Sequence, residues 1–180
     1  IRLAGFSFGG LVAALLAAER THIERMVLVG PAGHGGQRRQ NTLPLSWRDL
    51  DPERVPAQWA ERMRHNLLAQ MLHSETAVDA LAMEIQWRGC MHTRFRSKLF
   101  SRSAALMPAL RCYAGEGLTL WGEHDVTATP SDMPDYFAPD GVARKRQIIG
   151  GAGHWLMHEA PEMTAALLKG MLCPAIPDWV

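Results

Sequence analysis

Short segments that are wholly or partly apolar alternate with longer segments of helical character along this chain. Residues 1–4, 25–29, 118–121 and 145–149 predict β-strands, and residues 11–20 and 161–172 predict α-helices. A strand that is apolar along nearly its whole length, as 25–29 is, is typical of a parallel sheet covered on both faces. The pattern therefore predicts an α/β fold with a parallel sheet of about four strands and helices on both faces.

A stretch of different character separates the two halves of this pattern. Residues 33–39 are rich in glycine and basic side chains, and later segments repeat apolar residues at helical spacing. Asp51 and Pro52 supply a cap and a first-turn proline for the first expected helix, and a second helix is expected over 76–88. Four apolar residues of the first helix recur at every fourth position: Trp59, Met63, Leu67 and Met71.

The length of 180 residues suits one domain with an inserted subdomain. We interpret residues 35–110 as a helical cap, and residues 1–34 together with 111–180 as the core that carries the sheet. Within that core, residues 130–137 are expected to form a helical turn.

Charge and composition exclude several classes of partner. Nineteen basic and eighteen acidic residues give a net charge of +1, which is too small to recruit nucleic acid or an anionic membrane surface. The longest apolar run, residues 11–18, is too short to span a bilayer. A small-molecule substrate is therefore the expected partner, and the sequence leaves a homo-oligomer open.

The three cysteines, Cys90, Cys112 and Cys173, lie far apart and include no C-x-x-C pair. This spacing fits neither a disulfide framework nor a zinc site, so a reducing, cytoplasmic setting is expected.

Residues 5–9, Gly-Phe-Ser-Phe-Gly, fit the G-x-S-x-G pattern of a nucleophilic serine held in a tight turn between a strand and a helix. Flanking glycines are expected to let the strand and the helix approach closely, so that the turn exposes the Ser7 hydroxyl. A glycine-rich turn of this kind also cradles phosphate in other proteins, and that alternative stays open for the motif alone. No lysine follows it, which excludes a Walker loop.

A carboxylate and an imidazole follow later strands. Asp125 ends the segment Trp-Gly-Glu-His-Asp and is the chosen acid, with Glu123 and His124 as alternatives and a solvated turn aspartate as a further one. His154 follows the last strand in a glycine-rich loop and is the chosen base. It could also be a structural histidine or pair with His158 on a metal, but no third ligand accompanies them, so no metal and no cofactor are expected.

The order serine, aspartate, histidine, each after a strand of one sheet, is the order of the α/β-hydrolase triad. The chain resembles that family, in its cap-bearing branch, over nearly its whole length. The motifs that carry the resemblance are G-F-S-F-G-G, L-V-G-P-A-G, W-G-E-H-D, G-A-G-H-W and H-E-A-P-E.

The resemblance implies that the Phe8 backbone N–H is one oxyanion donor and that a second donor comes from a loop before Ile1. It also implies four strands upstream of Ile1, so that this chain would hold a partial α/β-hydrolase fold. We therefore expect the isolated chain to expose an apolar strand edge and aggregate. Loss of one oxyanion donor costs about 10²- to 10³-fold in rate, so little hydrolysis of a p-nitrophenyl ester is expected.

The sequence predicts the class of substrate but not the substrate itself. The leading hypothesis is hydrolysis of an ester or related acyl bond in a small apolar substrate through an acyl-serine intermediate. L-V-G-P-A-G and the tryptophan after His154 resemble the C–C bond hydrolases that act on meta-cleavage products, which carry a cap arginine for a substrate carboxylate. Trp155 and Arg94 are accordingly the candidates for substrate binding. Arg88 and Arg96 lie in the same region as Arg94 and no motif separates the three, and the basic residues there could equally form a solvated face. Trp155 could also serve only in packing.

Two other enzyme activities and one binding function are the remaining alternatives. A haloalkane dehalogenase would need aspartate in place of Ser7, whereas a cofactor-free haloperoxidase cannot be separated from an esterase by sequence. A member that keeps the fold only to bind a ligand or partner is the alternative outside enzyme chemistry.

Overall fold

Four parallel strands form one sheet in the order β1, β2, β3, β4. They are Arg2–Phe6 (β1), Arg25–Val29 (β2), Glu116–Gly122 (β3) and Arg144–Ile149 (β4). The computed structural model describes residues 1–39, 42–133 and 144–173. In the register of the sheet, Phe6 pairs with Val29 and Val29 with Leu120, which places the carboxyl ends of the first three strands side by side.

Seven α-helices connect and cover the strands. They are Phe8–Glu19 (α1), Pro56–Gln70 (α2), Ala80–His92 (α3), Lys98–Ser101 (α4), Leu106–Cys112 (α5), Leu156–Glu159 (α6) and Pro161–Leu172 (α7). Short 3₁₀ turns lie at Glu75–Ala77 and Pro130–Asp132. None of the helices in the described ranges is long and apolar enough to cross a membrane.

Strand β2 lies at the centre of two hydrophobic layers, because successive side chains of a strand point to opposite faces of the sheet. Met26 and Leu28 pack with α1 and α5 on one face. Val27 and Val29 pack with β3, α6 and α7 on the other. All four side chains are at most 4% exposed. The predicted α/β class, a parallel sheet covered on both faces, is confirmed.

Several predicted boundaries shift. Asp51 and Pro52 do not start the first cap helix, because α2 begins at Pro56 with Val55 before it. The Asp51 carboxylate instead accepts the Glu53 N–H in a local turn. Helix α3 begins four residues later than expected, because the Asp79 carboxylate accepts the Ala82 N–H and caps it.

Within the predicted cap there is a small apolar cluster, in which Leu67 of α2 and Leu72, which follows α2, pack with Ala82 of α3. Helix α5, which straddles the predicted end of the cap, packs instead against α1 on the sheet. The division into residues 35–110 and two core segments stays a prediction. The expected turn over 130–137 is described only to residue 133, where it is a 3₁₀ turn at Pro130–Asp132.

Edge strand β1 pairs only with β2 within the described residues. On α1, the side chains of Val12, Leu15 and Leu16 are between 42% and 48% exposed.

Candidate active site

Ser7 occupies a strained turn between β1 and α1. Its φ of 51° and ψ of −118° make it the one non-glycine residue with positive φ in the described part of the chain. Such a conformation costs about 1–3 kcal/mol and persists only where surrounding contacts hold it. The Ser7 N–H donates to the Val29 carbonyl, and the Ser7 carbonyl accepts the Ala32 N–H, each at 2.9 Å. Strand β2 and the loop after it therefore hold the turn.

The glycines around Ser7 do not contribute equally to the close approach of β1 and α1. A Cβ atom on Gly5 would lie 2.5 Å from the Gly9 carbonyl oxygen, and one on Gly10 would lie 3.1 Å from the Pro31 Cβ. A Cβ on Gly9 would meet nothing within 4 Å. Close approach of strand and helix thus depends on Gly5 and Gly10, while the second glycine of the G-x-S-x-G pattern is not sterically required.

A continuous hydrogen-bond path links the three residues that the sequence nominated. The His154 Nε2 lies 3.0 Å from the Ser7 Oγ, and the His154 Nδ1 lies 2.8 Å from the Asp125 Oδ2. Asp125 is fully buried and His154 is 3% exposed. With Asp125 ionised, Nδ1–H donates to the carboxylate and leaves Nε2 free to accept the serine proton.

The alternatives for the acid point elsewhere. The Glu123 carboxylate accepts the Gly151 N–H at 3.0 Å, and the His124 ring stacks on the His73 ring at 3.5 Å between centroids. The His158 Nε2 lies 3.0 Å from the Ala77 carbonyl oxygen and makes no contact with His154.

Thr127 supports the buried carboxylate, a role that the sequence analysis missed. Its N–H and its hydroxyl both donate to the Asp125 Oδ1, at 2.8 and 2.7 Å. Burial alone would raise the pKa of Asp125, but the hydrogen bond and charge of His154 and the two donors of Thr127 hold it below its ordinary value. The signal in the sequence is Asp-x-Thr, a common side-chain-to-backbone turn.

His34 supports the same loop from the other side. Its Nδ1 accepts the Gly36 N–H at 3.0 Å, so its Nε2 carries the proton and donates to the Thr127 carbonyl, also at 3.0 Å. Burial, with a contribution from the positive charge of Arg38, lowers the pKa of His34. The neutral ring therefore holds the segment that carries Asp125 and Thr127 through this hydrogen bond.

Gly30, after β2, lets the aspartate–histidine pair pack against the backbone. Its φ is 48°, and a Cβ there would lie 3.0 Å from the His154 ring and 3.2 Å from the Asp125 Oδ2. Close contact with the aspartate–histidine pair therefore explains why the motif L-V-G-P-A-G has glycine at this position.

Comparison with known families decides the relationship. Residues 2–167 match a family described as the alpha/beta hydrolase family. The chain belongs to the alpha/beta hydrolase family. A comparison with curated protein sequences found no match.

Solved structures agree with this alpha/beta-hydrolase fold. An esterase from Rhodococcus sp. ECU1013 is 22% identical with a TM-score of 0.68, over 94% of this chain and 63% of that one. A meta-cleavage product hydrolase from Pseudomonas fluorescens IP01 is 20% identical with a TM-score of 0.60, over 92% and 61%. A serine hydrolase from Cycloclasticus zankles is 16% identical with a TM-score of 0.62, also over 92% and 61%. The chain thus spans about three fifths of the length of these structures.

Phe8, the predicted oxyanion donor in this hydrolase fold, is the first residue of α1. Backbone N–H groups in the first turn of a helix have no partner within the helix. The Phe8 ring stacks on the Phe95 ring at 5.3 Å between centroids.

A cavity of about 360 Å³ opens over Ser7 and His154, and residues from the loop after β2, from α2 and from the end of α4 also line it. The two predicted substrate-binding residues, Trp155 and Arg94, line a different cavity of about 810 Å³. Gln70 and Met71 line both cavities, so the two cavities adjoin. The roles of Trp155 and Arg94 in substrate binding therefore stay a prediction.

Replacing Thr127 by valine tests the support of Asp125. Because its partners favour the charged carboxylate, Asp125 stabilises the fold above its ordinary pKa, and this stabilisation is lost as pH falls through its lower pKa in the folded chain. Thr127→Val should lower the free energy of unfolding at pH 7 by about 1–3 kcal/mol. The difference from wild type should shrink below the ordinary pKa of aspartate.

Urea unfolding at pH 7 and at a pH below the ordinary pKa of aspartate measures this effect. Thr129→Val is the matched control, since the Thr129 hydroxyl makes no hydrogen bond to a described residue. Equal losses in the two variants, or a loss that does not depend on pH, would contradict the assigned role of Thr127.

Proposed function

We propose that this chain carries the nucleophile, base and acid of a serine hydrolase that cleaves an ester or related acyl bond. The single observation that carries the proposal is the path from the Ser7 hydroxyl through the His154 imidazole to the Asp125 carboxylate, with both links at hydrogen-bond distance. A strained nucleophile turn at the carboxyl edge of a parallel sheet is the second support.

The chemistry follows from the roles of these groups. The Ser7 Oγ attacks the acyl carbon while its proton passes to the His154 Nε2, and the buried Asp125 stabilises the imidazolium that forms. The developing oxyanion accepts the Phe8 N–H. Collapse of the tetrahedral intermediate breaks the bond to the leaving group, which takes the proton from His154. A water, deprotonated by His154, then releases the acyl group and restores Ser7.

A second candidate is cleavage of a C–C bond by the same three residues. The tryptophan directly after His154 and the loop after β2 favour it, and a meta-cleavage product hydrolase is among the proteins of similar fold. For this chain, the bond cleaved stays a proposal in either form.

Labelling with a fluorophosphonate tests the serine nucleophile without requiring turnover. The reagent forms one covalent bond to an activated serine, so intact-mass spectrometry should show a single addition, and peptide mapping should place it on Ser7. Ser7→Ala should abolish the label, whereas Ser131→Ala, at an exposed serine of a 3₁₀ turn, should not. An unreactive Ser7 would favour the alternative of a non-catalytic binding protein.

A further inference from the structure

The cavity over the candidate nucleophile has an unusual charge. Three arginines line it together with Ser7 and His154: Arg38 and Arg39 from the loop after β2, and Arg102 from the end of α4. No other ionisable side chain of the described chain lines it. The cavity that would receive the substrate therefore carries a surplus of positive charge.

In the described part of the chain, two of these guanidinium groups are held by backbone carbonyls and not by acidic side chains. Arg38 donates to the Ser101 carbonyl at 2.9 Å, and Arg39 donates to the Glu123 carbonyl at 2.6 Å. Within residues 1–39, 42–133 and 144–173, no carboxylate forms an ion pair with Arg38, Arg39 or Arg102. Four arginines between residues 54 and 88 are each paired with a carboxylate, as Arg62 is with Asp49 at 2.9 Å. Among the described residues, Arg48, Arg94 and Arg96 also have no ion pair, but none of them lines the cavity over Ser7.

The pKa of Arg38 agrees with two neighbouring positive charges, those of Arg38 and Arg102, that no direct ion pair neutralises. Burial and the positive charge of Arg102 lower the pKa of Arg38, and only the charge of Asp125 works in the other direction. Asp125 is hydrogen-bonded to His154 and Thr127 and forms no ion pair with Arg38. Arginine remains charged even at a lowered pKa, and two close cations favour a bound anion.

Apolar surface accompanies the charge. Leu43, Pro44, Ala69 and Met71 line the same cavity. A ligand that fits both features has an apolar stem and one anionic end.

We propose that Arg38 and Arg102 bind a substrate carboxylate, so that the site selects acyl compounds with an apolar stem and a terminal carboxylate. The planar guanidinium fork matches a carboxylate with two parallel hydrogen bonds. This inference rests on the proposed hydrolase function only in placing the substrate over Ser7. It differs from the expectation for Arg94, which lines the other cavity.

Binding to the full chain carrying Ser7→Ala tests the inference without turnover. Glutaric acid monoanilide and the neutral butyric acid anilide share an amide and an apolar stem and differ in the carboxylate. Isothermal titration calorimetry should show about 10- to 100-fold tighter binding of the acid, as expected for a charge-assisted contact. Added NaCl should weaken binding of the acid and not of the neutral anilide.

Substitutions then locate the contact. Arg38→Gln or Arg102→Gln should reduce the affinity for the acid by about 10-fold and leave that for the neutral anilide unchanged. Arg38→Lys, which keeps the charge and loses the fork, should fall between wild type and Arg38→Gln. Arg111→Gln removes an equal charge from an exposed site on α5 and should change neither affinity.

Two results would overturn the inference: equal affinity for the two anilides, or an affinity for the acid that neither Arg38→Gln nor Arg102→Gln reduces. If Arg38→Gln does not fold, two measurements still test the inference. They are the affinity of Arg102→Gln and the effect of NaCl on binding of the acid when both arginines are present. Charge-selective binding with an unreactive Ser7 would instead reject the hydrolase proposal and leave the carboxylate site standing.

Discussion

Replacing His154 by alanine should slow fluorophosphonate labelling of Ser7 by about 10²- to 10⁴-fold, the range that a positioned general base contributes. The reason is geometric, because the His154 Nε2 lies 3.0 Å from the Ser7 Oγ and is the group placed to take its proton. Without the imidazole, the Ser7 hydroxyl would react as an ordinary alcohol.

The measurement is the labelling rate at pH 7 under an excess of reagent. His158→Gln is the matched control, since that histidine contacts the Ala77 carbonyl and not Ser7. Circular dichroism should show both variants folded. Labelling of His154→Ala at the wild-type rate would mean that Ser7 is activated by another group or not at all.

The residues on that hydrogen-bond path could be predicted because each one stands in a local signal. Ser7 follows a strand inside a glycine pattern, and Asp125 and His154 directly follow later strands. Parallel strands bring their carboxyl ends to one edge, so residues far apart along the chain had to meet there. The strand at Arg25–Val29 was predicted to the residue because a buried strand needs an unbroken apolar run.

The supporting contacts could not be predicted, because nothing local marks them. His34 reaches the Thr127 carbonyl across 93 residues of sequence. Arg38 and Arg102 line one cavity only because the loop after β2 lies against the end of α4. Arg94 and Trp155 were chosen by resemblance, and they line a second cavity that shares Gln70 and Met71 with the cavity over Ser7.

The first residues of helices α2 and α3 were less predictable than the strands of the sheet for a physical reason. Helix α2 exposes one side to solvent, so its apolar repeat sets the helix but not its first residue. Capping then depends on which polar side chain reaches a free N–H, and at α3 that is Asp79.

The last prediction concerns the contact between the two segments that carry Asp125 and His154. Gly122 ends β3, and a Cβ on it would overlap the carbonyl oxygens of Gly153 and Ala152, both backbone atoms. In the same place the His124 N–H donates to the Ala152 carbonyl at 2.9 Å. The glycine of W-G-E-H-D thus lets the acid segment lie directly against the loop before His154.

Gly122→Ala should therefore lower the free energy of unfolding by about 3 kcal/mol, the upper end of the usual cost of overpacking, because backbone cannot rotate away as a side chain can. Urea unfolding followed by tryptophan fluorescence measures it. Gly9→Ala is the matched control, since a Cβ there meets nothing within 4 Å and a helical alanine is favoured over glycine.

The same substitution should also slow labelling of Ser7, because the shifted backbone precedes His154 by a single residue. Stability and reactivity would then fall together in Gly122→Ala and be kept in Gly9→Ala. If Gly122→Ala lost stability but labelled at the wild-type rate, the loop would be able to yield without moving the imidazole. The position of His154 would then depend on its bonds to Asp125 and Ser7 and not on the close approach of β3.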